Sequence, residues 1–194
     1  MSDGRGGSGG GAVSLAMRFV CFLGFLLLAG SVRGQVPAPV PPGAYRTASA
    51  YRHRQPRPAG INAFYPDKRG KLVVEVPQGT GKAKLRVDPD STWGYVSGKG
   101  RTTRFYRGAE YELLHADTLC VYASTDGNAR YFFSRGLTGL IFPLTPHFLR
   151  EMYAAGTPAF AAALGKLRFN QSLADRDRQT GLFRVTTLYR EAVR

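Results

Sequence analysis

The sequence predicts an α+β domain: a curled antiparallel sheet or small barrel of about seven short strands, followed by two to three C-terminal helices. Three observations carry this expectation. Between residues 70 and 142, short β-branched or alternating runs are separated by turn-forming clusters. Helical spacing dominates only after Thr145, behind paired Thr-Pro signals. Hydrophobic residues make up 43% and charged residues 21%, an ordinary globular balance that excludes a wholly disordered, collagen-like or multi-span membrane chain.

The strands follow in order. Lys71-Leu72-Val73-Val74-Glu75-Val76 is β-branched and stops at Pro77. A Gly79–Lys82 turn leads into Ala83-Lys84-Leu85-Arg86-Val87, which alternates apolar with polar. Asp88-Pro89-Asp90 breaks that run. Trp93–Val96 and Thr102–Tyr106 flank the hairpin-like Ser97-Gly98-Lys99-Gly100. Glu110–Leu114 alternates again, and Leu119–Ala123 and Arg130–Phe133 lie either side of an Asp126-Gly127 turn. Trp93, Tyr95, Phe105, Tyr111, Leu113, Leu119, Val121, Tyr131 and Phe133 are the expected inner face of the sheet.

Helices account for the rest. Thr145-Pro146 and Thr157-Pro158 read as caps with first-turn prolines. Phe148, Leu149, Met152 and Tyr153 form one helical face, and Phe160, Leu164 and Leu167 another. Phe148, Met152, Phe160 and Leu164 are expected to cover the sheet. Leu182–Ala192 fits a third helix, although Val185-Thr186-Thr187 also tolerates a strand. Ahead of the sheet, Thr47 is placed to cap a short helix that ends before Pro56.

With 194 residues, the chain has room for one domain and a tail. Residues 1–34 read as an N-terminal extension and signal peptide. Arg18 precedes an apolar run of about a dozen residues, which is signal-core length and short of the roughly 20 a membrane span needs. Small residues then allow cleavage before Gln35, or before Val32. Met17 is an alternative start, because a cation directly after it makes a normal n-region. Residues 35–42, QVPAPVPP, read as an extended Pro-rich linker, and 43–194 as a single domain. Cleavage before Gln35 removes Arg5, Arg18, Arg33 and Asp3, so the +14 net charge becomes +12. Cys21 leaves as well, and Cys120 stays behind in an apolar run as a small buried hydrophobe.

The pieces Gly43-Ala44-Tyr45-Arg46-Thr47, Trp93-Gly94-Tyr95, Arg104-Phe105-Tyr106, Tyr111-Glu112-Leu113, Tyr131-Phe132-Phe133-Ser134, Pro143-Leu144-Thr145 and Arg184–Tyr189 occur in an order that resembles a family of uncharacterised exported proteins of Bacteroidota. The resemblance spans most of residues 43–190. It implies export and one domain, and it implies no catalytic residue.

Motifs for chemistry are sparse. Gly79-Thr80-Gly81-Lys82 lacks both the earlier glycine and the hydroxyl residue of a phosphate loop, and reads as a turn. His53, His115 and His147 have no His or Cys partner at ligand spacing, so no metal and no cofactor is expected. There is no Gly-x-Ser-x-Gly elbow, and Ser134 has no identified base. Glu110 and Glu112 share a strand face, where flanking Tyr111 and Leu113 make them the solvated side of a half-buried strand. Asp175-Arg176-Asp177-Arg178 reads as a solvated charge run.

The basic balance is what reaches toward function. Arg46, Arg52, Arg54 and Arg57 cluster with Tyr45 and Tyr51, and Lys82, Lys84 and Arg86 line one strand face. These seven are the candidate anion contacts. The resulting expectation is a non-catalytic exported domain, periplasmic or extracellular, that touches anionic envelope polymers without a membrane span after cleavage. An envelope hydrolase and an exported nucleic-acid binder are the alternatives. Arg outnumbers Lys 21 to 6, a composition that solvated positions alone also explain. Binding by scattered cations is expected to be unspecific and to fall steeply with salt.

Overall fold

A computed structural model describes residues 39–128, 130–168 and 171–194. The expected leader and the first part of the Pro-rich linker lie outside the described residues. Among the described residues there are ten strands: β1 Gly43–Tyr45, β2 Asn62–Phe64, β3 Leu72–Gln78, β4 Gly81–Val87, β5 Gly94–Val96, β6 Thr102–Tyr106, β7 Ala109–His115, β8 Leu119–Ser124, β9 Tyr131–Arg135 and β10 Phe142–Pro143. The helices are α1 Ala48–Arg52, α2 Pro146–Tyr153, α3 Pro158–Gly165 and α4 Arg184–Ala192. The α+β class is therefore as the sequence predicts, and the ambiguous C-terminal segment is a helix.

The strands form two antiparallel sheets. One runs β1-β5-β6-β7-β8-β9-β10 and the other β2-β3-β4. The larger sheet is open, with β1 and β10 at its edges, so the small-barrel alternative is not realised. The sequence expectation omits β1, β2 and β10. They have three, three and two residues, too few for any alternation to register.

Pairing registers sort the large sheet into two faces. Ala44, Tyr95, Thr103, Glu112, Ala123 and Tyr131 lie in successive cross-strand pairs on the first face, with Phe105, Val121 and Phe133 alongside. Tyr45, Arg104, Tyr111, Leu113, Tyr122, Phe132 and Ser134 lie on the second.

Both faces are covered. Leu119, Val121 and Phe133 on the first face meet Leu149, Tyr153, Phe160, Leu164 and Val185 of the helices. At the other end of that face, Ala44, Tyr95 and Phe105 meet Ala63, Leu72 and Val74 of the small sheet. On the second face, Cys120, Tyr122, Leu113 and Tyr111 pack with Trp93, with Ala48 and Tyr51 of α1, and with Leu137 and Ile141 of the β9–β10 connection.

The single inner face expected from sequence is thus divided among three clusters. Trp93, Tyr111 and Leu113 belong to the opposite side from Val121 and Phe133, and Tyr131 is 38% exposed at the helical margin. Alternation identifies which residues share a face. It does not say that a sheet is covered on both.

Two glycines set close approaches here. A Cβ on Gly94 would sit 2.2 Å from the Thr103 carbonyl oxygen, so β5 and β6 meet only because that residue has no side chain. Gly100, at φ +77°, closes the β5–β6 turn in the left-handed region.

Candidate anion-binding groove

The second face of the large sheet carries a basic groove at the C-terminal end of α1. Thr47 starts this helix, its Oγ1 accepting from the Ala50 N–H at 3.0 Å. The helix ends with Arg54 N–H donating to Tyr51 O and Gln55 N–H donating to Ala50 O. That pair of bonds is a Schellman closure, whose left-handed residue is normally glycine. Here Arg54 occupies it, at φ 57°. Beneath the helix, Tyr51 lies 4.8 Å from Trp93 between ring centroids, and the Trp93 indole N–H donates to Leu137 O at 2.9 Å.

The opposite wall is the end of β9. Arg135, Gly136 and Leu137 line, with Arg52 and Arg54, a groove of about 620 Å³, which also includes Asp117; the Arg135 guanidinium itself lies 5.9 Å from the centre of the Tyr153 ring on the first face. The β9 turn is held from below. Buried Arg104 donates through one NH2 group to Tyr122 Oη at 3.1 Å and through the other to Gly139 O at 2.9 Å. The Tyr122 hydroxyl is 2.9 Å from Ser134 Oγ, which donates to Gly136 O at 2.6 Å. The Arg104 guanidinium also lies over the rings of Tyr106 and Tyr122, at 5.4 and 5.9 Å. Among the described residues its Nε has no partner.

Charge in the groove is one-sided. Arg52 and Arg54 are exposed, and among the described residues neither is in an ion pair. The carboxylate in the groove, Asp117, is already bonded to Arg190 of α4 at 2.8 Å and to the Thr118 N–H at 2.7 Å. The Arg190 bond, followed by the Thr118 N–H, holds the Asp117 carboxyl below its usual range.

The seven expected anion contacts separate into three places. Arg52 and Arg54 line this groove together; Arg135 borders it at the end of β9, but it is in register with Leu119 and its guanidinium lies 5.9 Å from the centre of the Tyr153 ring, on the first face. Arg46 and Arg57 line a different hollow, of about 270 Å³, on the other side of α1 with His53. Lys82, Lys84 and Arg86 lie on β4, at the edge of the small sheet. Arg86 is bonded to Asp67 at 2.8 Å, and Lys84 pairs across from Glu75 with its ammonium 6.0 Å from the centre of the Phe64 ring.

Other chemistry-bearing residues fall elsewhere. Ser134 is wholly buried, and its hydroxyl is occupied by Gly136 O and Tyr122. Cys120 is buried, its thiol donating to Asp117 O at 3.2 Å, and burial pushes its pKa up. Glu110 is not on the solvated side of its strand. Tyr95 Oη donates to it at 2.9 Å, and burial raises its carboxyl above the ordinary range. Glu112 lines a cleft of about 470 Å³ between the two sheets, together with Asn62, Phe64 and Thr103. Among the described residues, no group of three His, Cys, Asp or Glu side chains is placed to hold a metal ion, and no helix is long and apolar enough to cross a membrane.

Comparison with protein-family models, with curated proteins and with solved structures finds no match for this chain.

Proposed function

We propose that this protein is an exported, non-catalytic domain that contacts anionic envelope components through the Arg52/Arg54 groove. The observation that carries the reading is a pair of exposed arginines, Arg52 and Arg54, lining a groove whose carboxylate, Asp117, Arg190 already neutralises. Arginine suits this role because its planar fork matches the oxygens of phosphates and carboxylates and never loses its proton. The signal-like Met17–Gly30 segment supports export.

Retention on an immobilised polyanion tests the binding half. Replacing Arg52 and Arg54 together by Gln should weaken retention far more than replacing Lys82 and Lys84. Equal effects would mean that total charge alone matters. Intact mass of the protein in the envelope fraction tests the export half: a chain beginning at Gln35 is expected, and a full-length mass would refute cleavage.

A second reading, an envelope hydrolase, rests on the half-buried Glu110 beside Tyr95 and on Glu112 at the inter-sheet cleft. Two carboxylates on one strand face, one of them with its pKa raised by burial, are the groups that general acid–base work uses. Hydrolysis of an oligosaccharide panel, abolished by Glu112→Gln, would establish it.

A further inference from the structure

We propose that the outer edge of β4 is a docking site for an extended acidic segment of a partner protein, which joins the small sheet as a fourth, antiparallel strand. This surface and its ligand are separate from the Arg52/Arg54 groove and its anions.

Among the described residues, β4 is the long sheet edge left open. On β1, the Ala44 N–H donates to Pro58 O at 3.1 Å and Ala44 O accepts from the Arg57 N–H at 2.7 Å, so the chain after α1 covers that edge. β10 has two residues, one of them Pro143, and β2 has three. β4 has seven, and outside its pairing with β3 its backbone makes no backbone hydrogen bond among the described residues. An edge of this length is a template for another strand unless the protein blunts it.

Register fixes which β4 groups face outward. Gln78 and Gly81 close the two-residue Gly79-Thr80 turn as a hydrogen-bonded pair, and bonded pairs recur at Val76–Ala83, Val74–Leu85 and Leu72–Val87. The alternate β3 residues bond the other way. Glu75 O accepts from the Ile61 N–H at 2.8 Å, and Pro77, which has no N–H to offer, occupies another such position. On β4 it is therefore Lys82, Lys84 and Arg86 whose N–H and C=O groups point away from β3, three donors and three acceptors in a row.

Side chains then select the guest. Lys82, Lys84 and Arg86 are exposed and share the face of the small sheet turned away from Tyr95 and Phe105. Arg86 is bonded to Asp67, whereas Lys82 and Lys84 are in no ion pair among the described residues. A guest residue paired with either lysine lies on the same face about 5 Å away, so a carboxylate there is attracted and an ammonium repelled. Ala83 and Leu85 point to the other face, where Leu85 is 43% exposed and an apolar guest residue would cover it. The matching segment reads polar, apolar, acid, apolar, acid. A second copy of this chain is the wrong guest: pairing β4 with itself about Lys84 sets Lys84 against Lys84 and Lys82 against Arg86. The same lysines bar self-pairing and admit an acidic strand.

The test titrates the protein with the capped peptide Thr-Val-Glu-Val-Glu-Thr at about 0.15 M salt, followed by amide resonances. The peptide should bind about tenfold more tightly than Thr-Glu-Glu-Val-Val-Thr, which has the same composition, and than its Lys-for-Glu analogue. The Lys82, Lys84 and Arg86 amides should gain protection from exchange, while those of Ala83 and Leu85 are already protected by β3. Lys82→Glu with Lys84→Glu should reverse the preference toward the Lys analogue. Lys84→Pro is the discriminating variant, because it removes an outward N–H without touching the β3 ladder. It should weaken binding by about tenfold with the other small-sheet resonances in place, and Lys84→Gln, which keeps that N–H, by about threefold.

Equal affinity for the alternating and blocked peptides would show that net charge alone is read, and would overturn the proposal. Unchanged affinity after Lys82→Glu with Lys84→Glu would do the same. So would a concentration-dependent dimer in sedimentation that Lys84→Pro abolishes, since the guest would then be a second copy. Failure here is separable from failure of the groove. Arg52→Gln with Arg54→Gln should change peptide affinity by less than about twofold while weakening polyanion retention. Loss of peptide binding in that variant, with the β4 replacements silent, would put the peptide in the groove and refute the edge site.

Discussion

Phe133 and Tyr131 belong to one strand and one face, two residues apart, and truncating each to alanine should have very different costs. Phe133 is fully buried between β8, β10 and the helices, with Phe142 at 6.1 Å and Tyr153 at 6.4 Å between ring centroids. Removing its ring forfeits about 2 kcal/mol of transfer free energy. The hole left behind, up to ~100 Å³ at ~24 cal/mol per Å³, adds about 2 kcal/mol more. A loss near 4 kcal/mol is a large fraction of the 5–15 kcal/mol typical of a domain, and corresponds to a fall of roughly 8–16 °C in melting temperature. Tyr131 is 38% exposed and reaches only the edge of Phe183, at 6.4 Å between centroids. Its truncation should cost about 1 kcal/mol or less. Urea unfolding followed by circular dichroism measures both. Equal costs, or a Phe133→Ala loss under about 1.5 kcal/mol, would show that the helices do not seal the first face as described.

Three more outcomes follow from the same structure. Gly94→Ala should cost about 3 kcal/mol or more, because the new Cβ would sit 2.2 Å from a backbone carbonyl that cannot move without breaking the β5–β6 pairing; near-native stability would contradict that approach. Asp67 is held at about 2, below its ordinary 3.8, by the Lys71 N–H and the Arg86 guanidinium, so its contribution is present above about pH 4 and lost as the pH falls toward 2. Asp67→Asn should therefore flatten stability against pH within that window, and unchanged acid limbs would exclude the bond. Cys120, buried and with a raised pKa, should resist alkylation in the native protein and react fully in denaturant; prompt native labelling, mapped by mass, would show that β8 opens readily.

The local signals were legible in the sequence wherever an element is long or chemically punctuated. Thr47 and Thr145 cap the helices they were expected to cap, each accepting a backbone N–H three residues on. Runs such as Leu72–Val76 and Thr102–Tyr106 are strands because β-branched residues suit a pleated, half-buried surface, although the first continues past the expected stop at Pro77 to Gln78, paired with β4. The basic character of Arg52 and Arg54 and their proximity in sequence were visible too.

Only the tertiary structure decided what those elements face. Val121 and Tyr122 are equally apolar neighbours, yet one meets the helices and the other meets α1 and Trp93, because consecutive strand residues point to opposite sides and both sides are covered. Arg104 sits in a run of alternating residues that could equally face water; the register with Tyr111 buries it under Tyr106 and Tyr122. Gly136 and Leu137 meet Arg52 and Arg54 across more than eighty residues of chain because the segment leaving β9 comes against the end of α1. Spacing along a chain specifies which residues share a strand or a helix face. Which distant residues meet in a groove depends on long-range pairing, and no local pattern encodes it.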